Sequence, residues 1–282
     1  MKAKPLVGLH LSIEKSLDSA FDRAEEIGCT TFQIFTRNPR TWRFKPLEDG
    51  QIAAFRERRK RSGFRFLVAH MPYLPNLASP NKATMKESRA SLSEEVRRCD
   101  ALGIDYLVAH IGSHLGGGSM LGIRNVSDAV NQALGSSEGS TTVLLENMAG
   151  QKNSVGSRFE ELGVILDKVK KKRVAVCLDT CHAFAAGFDL SSTEAVSQSM
   201  AVLEDSVGLD RVKVIHLNDS KGSVGSNLDR HEDIGKGMIG LKGMKAFLHY
   251  KSMPERPLIM EIPFNDVKEM KRSVALVKSI LE

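Results

Sequence analysis

Residues 212–231 read VKVIHLNDSKGSVGSNLDRH. The apolar, β-branched start of this stretch predicts a buried strand that ends at His216. The remainder is rich in glycine and serine, and it predicts a loop that carries Asp229 and His231. Two residues that are two positions apart in an extended segment point to the same side of the chain, so these two side chains can bind one metal ion. The stretch therefore predicts a strand that leads directly into a metal-binding loop.

The same succession of a short apolar run and an amphipathic segment occurs eight times along the chain. The apolar runs are residues 6–12, 31–35, 64–70, 106–110, 142–146, 173–179, 212–219 and 257–262. The predicted helices are residues 17–27, 52–61, 84–102, 123–134, 159–169, 193–207, 241–248 and 267–281. A capping box formed by Thr84 and Glu87 is expected to begin the third helix, and Gly103 is expected to end it. Strands that alternate with helices imply parallel pairing, because each return along the sheet needs a crossover.

Eight such units in 282 residues predict a single (β/α)8 TIM-barrel domain over residues 1–282. In this fold the active site lies at the C-terminal ends of the strands. A doubly wound open sheet is the main alternative, and it usually has a glycine-rich phosphate-binding turn after its first strand. The segment GLHLS at residues 8–12 is not such a turn, which favours the barrel.

Charge and cysteine usage set wide limits on function. Lys and Arg exceed Asp and Glu by 40 − 34 = 6, which permits a polyanionic partner such as nucleic acid but does not show one. The basic clusters at residues 56–61 and 168–173 are interpreted as solvated helix faces rather than as phosphate-binding tracks. The four cysteines form no CxxC pair, and no apolar run resembles a signal peptide or a membrane span. We therefore expect a cytoplasmic protein without membrane contact.

Histidine and carboxylate side chains occur where six of the predicted strands stop. The nine candidates are His70, His110, Glu146, Asp179, His182, His216, Asp229, His231 and Glu261. The two-residue period of a strand places Glu146 on the same face as Leu144, so it can point toward the barrel axis. Any one of these side chains alone is more typical of a hydrogen-bonded core residue. Burying nine of them at one rim is costly unless cations supply partners, so the pattern predicts a metal site.

The ligand types narrow the metal and the reaction. Imidazole with carboxylate and without thiolate suits Zn²⁺, Mn²⁺ or Fe²⁺ rather than Ca²⁺. Cys177 and Cys181 flank Asp179, and we interpret them as packing residues. Nine ligands exceed the needs of one tetrahedral ion and can serve two or three ions if a carboxylate bridges. Clustered metals are typical of phosphoester hydrolysis.

Five longer motifs surround these strand ends. They are YLVAHIGS (106–113), LLENMAG (144–150), CLDTCHAFAAGFD (177–189), HLNDSK (216–221) and DRH (229–231). Together they resemble the endonuclease IV family of apurinic/apyrimidinic DNA repair enzymes, and the resemblance runs along essentially the whole chain. One departure is Ile111, because the family commonly has a proline there that would stiffen the backbone beside His110.

The resemblance implies a barrel with three metal ions, usually zinc, and cleavage of the phosphodiester 5′ to an abasic site in base excision repair. The products would be a 3′-hydroxyl and a 5′-deoxyribose phosphate. The implied ligand sets are His70, His110 and Glu146 for one ion, Glu146, Asp179, His216 and Glu261 for a second, and His182, Asp229 and His231 for the third. We hypothesise that a hydroxide bridging two ions attacks the phosphorus, and that Glu146 orients it.

The expected partner is duplex DNA that contains an abasic site, bound by a monomer. An abasic nucleotide must leave the helix to reach a recessed site, and the missing base lowers the cost of flipping it. Tyr73 and Leu74, in the loop after the third strand, are expected to wedge into the base stack. By resemblance Arg37 would also insert at the gap, and Arg230 would lie near a phosphate.

Two other classes of protein compete with this interpretation. A metal-dependent sugar isomerase or epimerase can use a similar barrel, but the additional set of His182, Asp229 and His231 favours a third metal ion. A binding protein with a purely structural metal is the other alternative. Structural sites are usually closed and rich in thiolates, whereas this pattern has nine candidate ligands and no thiolate among them.

Overall fold

Eight parallel strands form a closed barrel in the computed structural model, which describes residues 5–251, 253–261 and 266–282. The barrel strands are β1 (Val7–Leu11), β2 (Phe32–Phe35), β3 (Leu67–His70), β4 (Tyr106–His110), β5 (Thr142–Glu146), β6 (Val174–Asp179), β7 (Val212–His216) and β10 (Leu258–Met260). Each strand pairs with its neighbours in the chain, and β10 closes the barrel between β1 and β7. The predicted TIM barrel is confirmed. Residue 262, the predicted end of the last strand, lies outside the described residues.

Helices follow the barrel strands in the predicted order. In the described part of the chain they are α1 (Ser19–Ile27), α2 (Asp49–Ser62), α3 (Lys82–Leu102), α4 (Ser119–Gly135), α5 (Phe159–Lys168), α6 (Thr180–Ala185), α7 (Thr193–Ser206), α8 (Gly240–Leu248) and α9 (Val267–Leu281). The predicted capping box of α3 is wrong. The cap is Asn81, whose side chain accepts hydrogen bonds from the backbone N–H groups of Ala83 and Thr84. Asn and Thr both cap helices, and local spacing alone does not select between them.

Two apolar layers support the mouth of the barrel. One lies between the strands and the surrounding helices, and the other fills the barrel interior. The interior layer consists of Val68, Val108, Leu144, Ala175, Cys177, Val214 and Ile259. Two residues after six of these positions come His70, His110, Glu146, Asp179, His216 and Glu261. Because a strand repeats every two residues, these six predicted ligands form the next inward layer, above the apolar one.

Two short elements near the mouth were not predicted from the sequence. Helix α6 begins directly after β6, and an antiparallel ribbon pairs β8 (Asp219–Ser220) with β9 (His231–Glu232). The predicted end of the seventh strand at His216 is confirmed, and residue 219, the last of the predicted apolar run, belongs to the separate element β8. The ribbon folds the loop after β7 back over the mouth, and this brings His231 toward the other candidate ligands.

The basic cluster at residues 56–61 is largely engaged within the protein. Arg56 donates to the carbonyl of Ala101 at the end of α3, and Arg59 donates to Asp105 at 2.8 Å. Arg58 pairs with Asp22 and Glu25 of α1. These contacts hold α2 against its neighbours. Among the described residues, no helix combines the length and the apolar character that crossing a membrane requires.

Candidate metal centre

The structure brings the nine predicted ligands together at the mouth of the barrel, where they form three groups. In each group, one potential ligand atom per residue lies within 4.8 Å of the others. The groups are His70, His110 and Glu146; Glu146, Asp179, His216 and Glu261; and His182, Asp229 and His231. This is the grouping that the family resemblance implies, and Glu146 belongs to two of the groups.

Glu146 presents its two carboxylate oxygens to different histidines. Its Oε2 lies 3.0 Å from Nε2 of His110 and 3.3 Å from Nε2 of His70, whereas its Oε1 lies 2.9 Å from Nδ1 of His216. Burial opposes ionisation of this carboxylate, but the charges and hydrogen bonds of His216 and His110 outweigh it and hold the pKa of Glu146 well below its usual range. An ionised carboxylate with two such faces can bridge two cations.

The second group is built from the ends of three barrel strands, together with Glu146. Nδ1 of His216 lies 3.2 Å from Oε2 of Glu261 and 3.9 Å from Oδ2 of Asp179. Asn218 braces this arrangement, since its amide donates to Asp179 at 2.7 Å and its carbonyl oxygen accepts from the backbone N–H of Glu261. Burial opposes ionisation of Glu261 as well, but the charge of His216 lowers the pKa of Glu261 well below its usual range.

The third group, His182, Asp229 and His231, contains buried nitrogens that suit a bound cation. Nε2 of His182 and Nε2 of His231 lie 3.1 and 3.5 Å from the same oxygen of Asp229. Both nitrogens are buried, yet neither has the geometry of a hydrogen bond to any described residue. Nδ1 of His182 donates to the carbonyl of Asn147, so its Nε2 carries a lone pair once the ring is neutral. Buried nitrogens without partners are costly, and a divalent cation between them would supply one.

The local chain explains how these side chains are aimed. Asp179 is the N-cap of α6, and its Oδ1 accepts from the backbone N–H of His182 at 2.7 Å. This cap turns the chain so that His182 points back to the mouth. Nδ1 of His70 donates to the carbonyl of Met71, and Nδ1 of His231 lies 3.2 Å from the carbonyl oxygen of Glu261. Backbone carbonyls thus orient three imidazoles with Nε2 toward the site.

Two further side chains of this inward layer, His10 and Gln33, were missed by the sequence analysis. They lie opposite each other in the register of β1 and β2. The side-chain amide of Gln33 is buried and contacts His10, His216 and Glu261. Strand alternation could have found both residues, because His10 lies two residues after Gly8 and Gln33 two residues after Thr31. The predicted ligands are histidines and carboxylates at strand ends or in the loops that follow, whereas Gln33 is an amide and His10 lies one residue before the end of β1.

A cavity of about 390 Å³ opens above the three groups. It is lined by His10, His70, Tyr73, His110, His182, Asp229, His231 and Glu261. At its edge Tyr73 is 59% exposed and Leu74 is 40% exposed, as their predicted role requires. The ring of Tyr73 packs edge-on against Phe35, with 5.1 Å between the ring centroids, which leaves its outer part free.

Arg37 does not project from the rim as the DNA-contact prediction requires. It is 7% exposed, and its Nε donates to Glu95 at 2.5 Å. The other guanidinium nitrogens donate to the hydroxyl of Ser91 and to the carbonyl of Thr41. With these three partners, the buried guanidinium of Arg37 holds the loop between β2 and α2 against α3. Insertion into DNA would require all of these contacts to break.

Arg40 and Arg43 are the exposed arginines of this loop, and Arg40 follows a residue that is hydrogen-bonded to Tyr73. The carbonyl of the preceding residue, Pro39, accepts from the backbone N–H of Tyr73 at 3.2 Å. Burial raises the pKa of the Tyr73 hydroxyl, and the nearby positive charge of Arg40 acts against that rise. The segment FTRNPRTW at residues 35–42 contains both Arg37 and Arg40, and only burial distinguishes the two. Arg230 is exposed and lies between Asp229 and His231 in the chain.

Cys181 lies near the site as a thiol. Its sulfur groups with Asp179 and His231 within 4.8 Å. Burial raises the pKa of Cys181 and raises that of Cys177 to about 12, so neither is a ready thiolate ligand. The Cys181 thiol donates to the carbonyl of Arg230 at 3.6 Å. These features agree with the interpretation of both cysteines as packing residues.

Ile111 occupies the position where the family commonly has proline. Its side chain is buried in the layer between strands and helices, and its carbonyl accepts from the backbone N–H of Ala78 at 3.1 Å. Side-chain packing and this hydrogen bond restrain the backbone after His110 without a proline ring.

Comparison with known proteins identifies the family. Residues 21–280 match the family model described as a xylose isomerase-like TIM barrel. A protein of Methanoculleus marisnigri named probable endonuclease 4 is 46% identical over 277 residues, which is 98% of both chains. The protein of the same name from Nitrosopumilus maritimus is 46% identical over 266 residues, covering 93% of this chain and 95% of the relative.

Solved structures agree with the sequence matches. Endonuclease IV from Thermus thermophilus superposes with a TM-score of 0.87 at 35% identity, covering 98% of this chain and 99% of that chain. A D-tagatose 3-epimerase-like protein reaches a TM-score of 0.74 at 20% identity, covering 98% of this chain and 96% of that chain, and this likeness shows the shared barrel only. The resemblance seen in the motifs is confirmed, and the chain belongs to the endonuclease IV family of apurinic/apyrimidinic endonucleases.

Proposed function

We propose that this protein, acting as a single-domain monomer, cleaves duplex DNA on the 5′ side of abasic sites and leaves a 3′-hydroxyl and a 5′-deoxyribose phosphate. The observation that carries the proposal is the shared position of Glu146, whose two oxygens face two groups of ligands while a third group lies beside them. Three adjacent cation sites suit the hydrolysis of a phosphodiester, in which the attacking oxygen and the leaving oxygen both carry negative charge.

The candidate ligands divide into the three groups described above, and we propose one divalent ion for each, with zinc as the first choice. Bound ions would supply a water molecule of lowered pKa and would neutralise charge on the phosphate. Glu146 is suited to be a shared ligand rather than a general base, because its pKa is held low and it gives up its proton readily. His70, His182 and His231 are already oriented by backbone carbonyls, which reduces the cost of assembling the site.

The rim supports recognition of a flipped nucleotide. Exposed Tyr73 and Leu74 are placed to fill the space that the lesion leaves in the base stack. We propose Arg40, rather than Arg37, as the arginine that enters the gap beside them. Arg230 is exposed between two candidate ligands and can contact a phosphate next to the site.

The test is incision of a labelled duplex that carries one abasic-site analogue, with an undamaged duplex of the same sequence as control. We expect cleavage only 5′ to the lesion, loss of activity after chelation and recovery when zinc is restored. Glu146→Gln keeps the shape of the side chain but removes its charge, and we expect the rate to fall by at least about 100-fold. Cleavage of the undamaged control at the same rate, or near-normal turnover by Glu146→Gln in protein shown to be loaded with metal, would contradict the proposal.

A sugar epimerase is the second candidate, since several solved epimerases share the barrel. The group of His182, Asp229 and His231 favours phosphodiester chemistry, because it adds a third candidate cation site beside the other two. Activity on a ketose by protein that binds but never cuts abasic DNA would favour the epimerase.

A further inference from the structure

The side-chain amide of Gln33 lies between two histidines and a candidate metal ligand. On strand β2, its Nε2 is 2.7 Å from Oε1 of Glu261 and 2.9 Å from Nδ1 of His10. Its Oε1 is 2.8 Å from Nε2 of His216. The side chain is fully buried. Both amide hydrogens and the carbonyl oxygen therefore have a protein partner.

The carboxylate of Glu261 decides which way this amide faces. A carboxylate only accepts hydrogen bonds, so the NH2 group of Gln33 must point to it. The reversed amide would place two acceptor oxygens 2.7 Å apart. With the amide in this orientation, its oxygen faces His216, and Nε2 of His216 must carry a proton to donate to it.

The consequence for His216 concerns its other nitrogen. With the proton held on Nε2 by Gln33, Nδ1 is the nitrogen that remains to bind an ion. That nitrogen faces Oε1 of Glu146 at 2.9 Å and Oε2 of Glu261 at 3.2 Å, within the second ligand group. A histidine ligand whose second nitrogen is hydrogen-bonded is fixed in tautomer and in ring orientation.

The consequence for His10 is the reverse. Its Nδ1 is 2.9 Å from the NH2 group of Gln33, closer than its 3.2 Å contact with Oε1 of Glu261, so it accepts a hydrogen bond from the amide. If Nδ1 of His10 carried the proton, it would face the NH2 group of Gln33, which is also a donor, at the shorter of these two distances. The proton of the neutral ring is therefore on Nε2, which is buried and has no hydrogen-bond partner among the described residues. His10 lines the cavity above the candidate ligands.

We propose that Gln33 is a positioning residue that fixes His216 and His10 as the same tautomer but leaves a different nitrogen of each ring free. In His216 the free nitrogen is the Nδ1 lone pair, which is presented to an ion. In His10 the free group is Nε2–H, which is presented to an oxygen of the substrate, a phosphate or sugar oxygen. The part that concerns His10 as a substrate contact rests on the proposed function, whereas the tautomers and the His216 part do not.

The first experiment measures tautomers and metal affinity. In zinc-loaded protein labelled with ¹⁵N-histidine, NMR should show His216 and His10 each with the proton on Nε2. Gln33→Met keeps the length of the side chain and removes the amide, so we expect the fixed tautomer of His10 to be lost. We expect zinc affinity in the group of His216 to fall by about 10- to 100-fold, the usual effect of losing such a partner. The group of His182, Asp229 and His231 should keep its ion.

The matched control is Gln132→Met, which makes the same change at an exposed position of α4. Wild-type tautomers and wild-type affinity in Gln33→Met would overturn the proposal. If that variant does not fold, the wild-type spectrum decides, because the proposal requires the proton on Nε2 of both His216 and His10. A proton found on Nδ1 of either neutral ring in zinc-loaded wild-type protein would overturn the proposal.

The second experiment tests His10 alone. His10→Phe keeps a ring against Phe35, which lies 4.3 Å away between centroids, and removes the free N–H. We expect retained zinc and a fall in abasic-site cleavage of about 10- to 100-fold, as for one lost hydrogen bond to a charged group. Wild-type cleavage would overturn the substrate contact. If the wild-type protein itself cuts no abasic DNA while the tautomers are as stated, the proposed function fails and the positioning of His216 by Gln33 stands.

Discussion

Arg37 and Arg40 belong to one loop and show how burial separates the roles of like residues. The guanidinium of Arg37 forms a buried ion pair with Glu95, whose other oxygen accepts from the hydroxyl of Thr36. Arg98 of α3 donates to the carbonyl of Thr36, so Arg37 and Arg98 together hold the loop against α3. Arg40 remains exposed at the outer end of the loop. The anchored residues thus keep Arg40 beside Tyr73.

We expect Arg37→Ala and Arg40→Ala to affect different properties. Removing Arg37 leaves a buried carboxylate unpaired, which should lower the free energy of unfolding by about 3–5 kcal/mol. Removing Arg40 should change that free energy by less than about 0.5 kcal/mol. It should weaken binding to abasic duplex more than binding to undamaged duplex, because only the abasic duplex has a gap for the arginine to enter. Urea denaturation and binding to the two duplexes measure these effects. A stable Arg37→Ala protein with weakened DNA binding would return the DNA contact to Arg37.

At the scale of elements, the close approach of β1 to β2 brings Gln33 against His10. Gly8 makes this approach possible, because a Cβ at this position would lie 1.9 Å from the carbonyl oxygen of Thr31. The clash would be with backbone, which has little freedom to move within a closed barrel. His10 and Gln33 pair across these same strands.

Gly8→Ala should therefore push β1 away from β2 and disturb the mouth as well as the fold. We expect a loss of about 1–3 kcal/mol in the free energy of unfolding, the usual cost of overpacking, together with weaker zinc binding. Gly50→Ala in α2 is the control, since a Cβ there meets nothing within 4 Å. Urea denaturation and zinc titration of both variants measure these effects. Equal stability of Gly8→Ala and the wild type would show that the two strands separate at little cost.

At the scale of the whole molecule, the barrel surrounds a polar cluster with an apolar layer beneath it and helices around it. Its carboxylates and imidazoles are paired with one another inside a fold that excludes most water. Burial acts against protonation of His110, His182 and His216, but neighbouring groups outweigh it and raise the pKa of all three. These groups are carboxylates for His110 and His182, and Cys177 together with the carboxylates of Glu261 and Glu146 for His216. Without metal, these ion pairs hold the mouth together.

Metal-free and metal-loaded protein should therefore respond to pH in opposite directions. A histidine whose folded pKa is raised stabilises the fold below its unfolded pKa of about 6.5, and this contribution is lost as pH rises through the raised value. The metal-free protein should lose stability above that pH. Metal binding needs neutral imidazoles and so strengthens with pH. We expect chelation to lower the melting temperature more at about pH 9 than at about pH 6. An equal decrease at both pH values would contradict this coupling.

The order of elements and most of the candidate site could be predicted from the sequence. Strands β4 and β5 have the predicted bounds, because apolar runs between polar ends are a local signal. The nine candidate ligands followed from side chains at strand ends, since parallel strands in a barrel end at one rim. Helix α6 and the β8–β9 ribbon were not predicted, because they are short and depend on the cap at Asp179 and on pairing across the loop.

The sequence by itself determined the barrel, the family and which residues could bind metal, because these depend on periodicity and on residue type. Only the tertiary structure decided which of two arginines is buried, which side chains share a group and which nitrogen of each histidine is free. These properties depend on distances between strands that are far apart in the chain. Gln33 shows the reason most clearly, since its amide matters only because Glu261, 228 residues away, fixes the direction in which it points.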